Sequence, residues 1–330
     1  MDKIIMEHGS GGSSTQMLIS EIFEKTFDNK ILSEMEDSAV LKNMGGRIAM
    51  TTDSFVVNPL EFPGGDIGRL AVCGTVNDLL MRGAKPEYLT CGFILQEGLK
   101  IETLMRIVKS MADTAKEAGV AIIAGDTKVV EGDGGLFINT AGVGFVPDGI
   151  EISAGNARQG DVIIVSGNLG DHHAAILSQR MGIKNSIVSD NAPLCNMVLN
   201  MISEGIDIHS LRDVTRGGLA TVLKELAAQS GKTFEIEENG LPVSAQVKDF
   251  CGLLGLDPLY MGNEGKLVAI VDAKDADRAL KIINSDRYGS DACVIGRVLD
   301  EEDGKLYIKT RLGGRRFLEI LQGEGLPRIC

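Results

Sequence analysis

Val120-Ala121-Ile122-Ile123-Ala124-Gly125-Asp126-Thr127-Lys128 is an apolar run that opens directly onto a glycine, an acid and a cation, and the fold turns on how it is read. Five apolar residues between Gly119 and Gly125 fit a buried strand and are too few for a helix. Upstream, 102–118 carries Leu104, Met105, Val108, Met111, Ala112 and Ala115 at helical spacing, with Gly119 as its stop. A strand over 88–96 precedes that helix. The three form a strand-helix-strand unit, which places Asp126 and Lys128 just past a strand's C-terminal end, where α/β sheets hold ligands. A further strand at 136–146 gives mixed order, so the first half reads as α+β.

Toward the N-terminus, 17–27 reads as a short helix through Met17, Leu18, Ile22 and Phe23. Before it, the loop His8 to Ser14, with Gly11 and Gly12, has N–H groups that suit phosphate oxygens, although a plain N-terminal arm fits equally well. Thr51-Thr52-Asp53-Ser54 interrupts a strand-like run over 48–57, and an aspartate in a buried strand is costly unless it is paired or holds a cation. Pro63-Gly64-Gly65-Asp66 reads as a turn delivering an N-cap to a helix over 67–82. Ile67, Ala71, Gly74 and Asp78 share one face of that helix, and Gly74 gives up helix propensity as though something beside it needs room.

Downstream, a domain boundary is expected near Gly155, giving domains at 1–155 and 156–312 and a flexible cysteine-ended tail at 313–330. The second half restarts with a strand over 162–165, the turn 166–170 and a helix from Asp171. His172 and His173 are adjacent, about 100° apart on a helix, and so poorly placed to share an ion. Asp213-Val214-Thr215-Arg216 sets an acid and a cation at the opening of another helix. Asn263-Glu264-Gly265 is a turn before a strand at 267–271. A helix over 276–283 and strands over 292–298 and 305–309 complete an α/β second domain.

With 330 residues and 44% hydrophobic content, the chain has material for two sizeable cores. A net charge of -13 argues against nucleic acid or an anionic membrane as the main partner. Nothing resembles a signal peptide, and no apolar run nears the roughly 18 residues of a membrane span, so a cytoplasmic protein is expected. Six cysteines lie scattered, fitting neither a disulfide framework nor a zinc site. Five read as small buried hydrophobes. The sixth, Cys330, closes the chain beside Arg328, which favours its thiolate, with Gly313, Gly314, Gly323 and Gly325 giving it freedom to move. A frayed end that happens to finish on cysteine fits these residues equally well.

Asp37, Asp53, Asp78, Asp126 and Asp213 each sit beside small residues rather than in charge runs. With Lys128 and the glycine turns they suit Mg²⁺ shared with nucleotide phosphates. Those segments, together with Glu36 to Val40, Val72 to Leu79, Asp213 to Leu219, Asn263 to Gly265 and the ending Leu326-Pro327-Arg328-Ile329-Cys330, resemble the HypE family of hydrogenase maturation proteins. That family sits in the aminoimidazole ribonucleotide synthetase-like superfamily, alongside selenophosphate synthetase and thiamine monophosphate kinase. The cysteine-terminated ending makes the resemblance specific.

The resemblance implies a two-domain α+β fold. Its N-terminal α/β domain pairs into a barrel in a homodimer, ATP sits near that interface, and a C-terminal mixed sheet flanked by helices closes over it. It further implies that the Cys330 thiol takes a carbamoyl group from the carbamoyltransferase HypF. The group is dehydrated with ATP to a thiocyanate, and cyanide passes to a HypC–HypD complex for the iron of [NiFe]-hydrogenase. Carried over residue by residue, Asp37, Asp53, Asp78 and Asp213 hold Mg²⁺. Gly11, Gly12, Thr75, Asn77 and Asp126 join the aspartates at the nucleotide, Lys128 fits stabilisation of the phosphoryl or carbamoyl oxygen, Glu264 and Asp126 are candidates for the base or for orienting the tail, and His209 is a weaker third that reads better as a satisfied structural histidine. Relatives often carry two adjacent aspartates where this chain has Glu36-Asp37, which favours Asp37 as the ligand. An ATP-dependent kinase or cyclo-ligase of a free small molecule, and a non-catalytic carrier or scaffold, remain the rival readings.

Overall fold

The protein is described by a computed structural model covering residues 3–9, 13–34, 39, 41 and 46–321. Gly11, Gly12, Asp37 and Cys330 therefore lie outside the described residues.

The first domain opens with a helical segment, α1 (Ser13–Leu18), a π-helical turn (Ile19–Glu24) and α2 (Lys25–Phe27). There follow β1 (Arg47–Phe55), the short pair β2 (Glu61–Phe62) and β3 (Gly65–Asp66), then α3 (Ile67–Leu80), β4 (Lys85–Gln96), α4 (Ile101–Ala118), β5 (Ala121–Val130) and β6 (Leu136–Val146). The larger strands form one sheet in the order β1-β6-β4-β5, with only β4 and β5 parallel. That parallel pair is the consequence of the strand-helix-strand unit: α4 carries the chain back across the sheet before β5.

Alternate residues of β4 and β6 face α3 and α4 and are buried, those of β1 are half-buried as far as Phe55, which is buried, and the other face is more open. Asp66 caps α3 as its position suggested, its Oδ1 accepting from the N–H groups of Gly68 (2.7 Å) and Arg69 (3.0 Å). Gly119, in left-handed conformation at φ 73°, ends α4.

β5 departs from expectation, because it continues through Gly125-Asp126-Thr127-Lys128 to Val130. Asp126 and Lys128 thus stand within a strand, two residues apart on its outer face. β5 is a sheet edge, and polar side chains on an edge strand's open face look like a loop in sequence.

The second domain contains β7 (Val162–Val165), α5 (Asp171–Met181), α6 (Cys195–Ser203), β8 (Ile208–Asp213), α7 (Gly218–Ser230), β9 (Phe234–Glu237), α8 (Ala245–Leu254), β10 (Leu267–Val271), α9 (Ala276–Ser285), β11 (Cys293–Val298), β12 (Leu306–Lys309) and β13 (Arg315–Leu318). Its sheet runs β13-β12-β9-β11-β7-β10-β8 and is mixed, β12 and β9 being parallel. β10 is buried at every position because both faces are covered. Ile164, Leu267 and Ala269 join the core shared with the first domain, α6 and α9. Ile163, Val165, Val268 and Ile270 join a second core against α7.

The tail also needs correcting at its start. Gly313 and Gly314 do not begin a free linker; they turn a hairpin, with Gly313 at φ 85° and Thr310 N–H donating to Gly314 O at 2.7 Å. The hairpin delivers β13, which buries Leu318, and the backbone N–H of Leu321 donates to Thr221 Oγ1 at 3.2 Å. The chain is therefore docked at least as far as 321.

Candidate active site

Strand parity puts Thr51, Asp53 and Phe55 on the α3-facing side of β1, opposite Asp78 near the end of α3. Thr51 Oγ1 donates to Asp78 Oδ2 at 2.8 Å. The space that Gly74 leaves is taken by protein: a Cβ there would meet the Phe55 ring at 2.8 Å and lie 3.5 Å from Asp53 Oδ2. So the glycine does mark the site, but it does so by admitting Phe55 rather than a ligand.

From the second domain, β8 ends on Asp213, and the chain turns through Thr215 and Arg216 into α7. Gly217 and Gly218 there both adopt positive φ (80° and 66°), and a Cβ on Gly218 would sit 2.5 Å from Leu259 O. Glu264 arrives from the turn before β10, its N–H held by Asp190 Oδ1 at 3.0 Å. These elements enclose a cavity of about 350 Å³ whose walls include Asp53, Gly74, Asp78, Arg212, Asp213, Arg216 and Glu264. A second cavity of about 350 Å³ shares Asp78, Arg212 and Asp213 as its wall.

Desolvation dominates the electrostatics here. It raises Asp78, with help from Asp53 and against the Thr51 hydrogen bond. Asp213 is pushed up to about 7 by burial and then by Asp78. Glu264 is held well above the usual carboxylate range by burial and by Asp213, Asp190 and Asp53. Each keeps a strip of surface on the cavity, yet protein surrounds it on the other sides. Carboxylates crowded together this way want cations.

Two arginines provide part of that charge. Arg212 reaches Glu225 only at 3.8 Å, and its buried Nε has no hydrogen-bond partner among the described residues, leaving donors for an anion such as phosphate. A hard divalent cation suits the all-oxygen set of Asp53, Asp78 and Asp213. Their oxygens do not all lie within 4.8 Å of one another, the spacing of a shared single-ion triad, so ions here would keep waters or phosphate oxygens in their shells.

The other sequence candidates fall elsewhere. Thr75 is fully buried beneath the sheet against Thr140. Asn77 spends its amide on the second domain, donating to Ala192 O (3.0 Å) and accepting from Leu194 N–H (2.9 Å). Neither lines the cavity. Asp126 and Lys128 pair with each other at 2.8 Å on the open face of β5, and that hydrogen bond holds Asp126 below the usual range, the wrong direction for a base.

His209 sits at the far end of β8 from Asp213, bonded to Asp161 Oδ2 at 2.7 Å, so it is not placed to act as the base at the cavity. His172 and His173 begin α5, buried and lowered to about 4 by desolvation. Of the five cysteines read as buried hydrophobes, Cys73, Cys91, Cys195 and Cys251 are buried and Cys293 is half-buried. Burial pushes Cys195 to about 12 and Cys251 to about 11, so both stay protonated thiols. The sequence did not single out Arg212, Thr215 or Glu225. The signal available for Arg212 was a cation adjoining a site aspartate.

Two family profiles match the chain: AIR synthase related protein, N-terminal domain, over 35–146, and AIR synthase related protein, C-terminal domain, over 158–309. A carbamoyl dehydratase HypE of Cupriavidus necator is 50% identical over 99% of this chain and 95% of its own. The chain belongs to the HypE family. A crystal structure of hydrogenase maturation protein HypE in complex with ATP superposes with a TM-score of 0.95 at 46% identity, covering 99% of each chain. The HypE chain of a crystal structure of a HypE–HypF complex matches with a TM-score of 0.81 at 47% identity over 92% of this chain and 99% of that one. The two-domain AIR synthase-related fold expected for a HypE is thus the fold observed. No helix among the described residues is long and apolar enough to cross a membrane.

A divalent cation held at Asp213 would bind in a pH-dependent way. Its carboxyl is protonated below about 7, and a proton and a divalent cation compete for it. Apparent magnesium affinity, measured by titration at fixed ATP, is expected to rise by up to about tenfold per pH unit below 7 and to level off above it. Asp213→Asn should flatten that profile.

Proposed function

We propose that this HypE is an ATP-dependent carbamoyl dehydratase that converts a carbamoyl group carried on Cys330 Sγ to a thiocyanate during [NiFe]-hydrogenase maturation. The observation that carries the reading is positional. Leu321 is docked on Thr221 in the first turn of α7, and Val222 and Glu225 of the same helix line the acidic cavity. Residues 322–330 follow, and nine residues at about 3.3–3.6 Å each span roughly 30 Å, enough to bring Cys330 to that cavity. Four of the other five cysteines are buried and Cys293 is half-buried, and burial raises the thiol pKa of all five. That leaves Cys330 as the thiol for group transfer.

The chemistry is set by a poor leaving group. Dehydrating S–C(=O)–NH₂ to S–C≡N expels oxygen, and hydroxide leaves badly. Attack of the carbamoyl oxygen on the γ-phosphorus of ATP releases ADP and makes the leaving group phosphate. Loss of one N–H proton accompanies C–O cleavage, and loss of the second completes the nitrile. Glu264, raised in pKa and deep in the cavity, is suited to accept a proton from nitrogen. Arg212 and Arg216 line the cavity and are placed to hold phosphate oxygens, and closure of the two domains on a bound nucleotide would exclude water. Asp53, Asp78 and Asp213, with Asp37, would hold magnesium, which when bound neutralises phosphate charge.

A homodimer is part of the reading. The open face of the first sheet carries Ile48 (62% exposed), Met50 (73%), Ile94 (45%) and Val130 (39%), an apolar surface of the kind a second copy covers. Asp126 and Lys128 share that face and would be brought to the interface. Met50→Asp is expected to give monomers in sedimentation analysis while leaving the fold intact.

HypF is the proposed carbamoyl donor and a HypC–HypD complex the acceptor, in the cytoplasm, where free thiols persist. The direct test is the intact mass of the protein after incubation with HypF, carbamoyl phosphate, ATP and magnesium. The expected result is gain of one carbamoyl group, then loss of one water only when ATP is present. A carbamoyl adduct that persists with ATP overturns the dehydratase.

A further inference from the structure

A second polar cluster lies at the opposite end of β8. Asp207 immediately precedes the strand, and Asp272 immediately follows β10, whose Val271 pairs with Ile208. The ladder is extended by Asp272 N–H donating to Asp207 O at 3.0 Å, so both acids flank the same corner of the sheet. His209 points into it. Its side chain is 3% exposed, and its Nδ1 is bonded to Asp161 Oδ2 at 2.7 Å. Its Nε2 is buried with no hydrogen-bond partner among the described residues, 3.4 Å from Asp207 Oδ1.

A carboxylate behind Nδ1 keeps the imidazole proton there and turns the Nε2 lone pair forward, the usual arrangement behind a metal-bound histidine. One donor atom from each of Asp207, His209 and Asp272 lies within 4.8 Å of the others. Two metal–ligand bonds of about 2.1 Å at the tetrahedral angle separate their ligands by about 3.4 Å, the separation found between His209 Nε2 and Asp207 Oδ1.

We propose that Asp207, His209 and Asp272 form a binding site for a divalent transition-metal ion of the zinc class. An imidazole among the donors favours such an ion over magnesium or calcium, which take oxygen. Lys274 is the resident competitor. Its ammonium lies 3.2 Å from Asp207 Oδ2 and 3.4 Å from Asp272 Oδ2, on a side chain that is 64% exposed and can withdraw. Four residues of extended strand, about 13 Å, separate His209 from Asp213, so this ion would be distinct from any in the acidic cavity. It would tie the start of β8 to the end of β10.

The test is isothermal titration of the full chain with zinc chloride, without ATP or magnesium. One zinc per chain is expected, weakened about tenfold or more by Asp272→Asn and tightened about tenfold by Lys274→Ala. Lys274 is exposed, and Asp272→Asn keeps the Oδ1 of that half-buried side chain, which accepts from Lys274 N–H at 2.9 Å, so both variants are expected to fold. Stoichiometry should survive Cys330→Ala and Asp78→Asn. Wild-type affinity in Asp272→Asn, no gain in Lys274→Ala, or loss of the zinc with Cys330→Ala would each overturn the site, the last by assigning the metal to the terminal thiol.

Discussion

Cys330→Ala is expected to gain no carbamoyl mass from HypF and to form no thiocyanate, a complete loss rather than a graded one. The reason is stoichiometric, since in the proposed reaction the Cys330 sulfur carries the substrate, and the other five thiols are poorly suited to replace it. Cys195 and Cys251, at about 12 and 11, hold negligible thiolate at neutral pH, and Cys73 and Cys91 are raised by burial alone or by burial first. The same variant should keep its ATP affinity, because Asp53, Asp78, Arg212, Asp213 and Arg216, the cavity residues proposed to hold the nucleotide and its cation, are unchanged in it. Retained ATP turnover on a free small molecule would instead support a kinase or cyclo-ligase. A carbamoyl adduct elsewhere on the chain would remove Cys330 from the chemistry.

What could be seen in the sequence, and what could not, follows from which forces act locally. Asp66 as a cap, Gly119 as a stop and the amphipathic α4 were legible because each depends on neighbours within a turn or two. Asp53, Asp78, Asp213 and Glu264 were legible as odd acids among small residues, and they do meet in one cavity. Their meeting depends on two domains packing, which no spacing encodes. Asp126 and Lys128 were read as a loop because an edge strand with one open face lacks the apolar run that marks a buried strand. Gly313 and Gly314 were read as a linker because flexibility and a tight hairpin demand the same residue; only the burial of Leu318 separates the two. Asn77 falls between these cases. Its position on α3 was legible, but its partners lie more than a hundred residues away.

Glu264→Gln is expected to lower the dehydration rate by about 10²-fold or more while raising stability, and the pairing of opposite signs is what gives the variant its force. Burial and the charges of Asp213, Asp190 and Asp53 raise the Glu264 pKa in the folded state. Between the unfolded carboxyl's value and that raised one, the folded chain binds the extra proton, so stability falls as pH rises through the window. Above it the loss is complete. A glutamine keeps the shape without the charge and escapes that loss, so its melting temperature should exceed wild type by a few degrees at pH 8 and converge with it at pH 4. A merely structural Glu264 predicts the reverse pattern, loss of stability together with activity. Loss of stability at pH 8 would therefore show that the carboxylate is paired within the fold rather than held in reserve for a proton from the carbamoyl nitrogen.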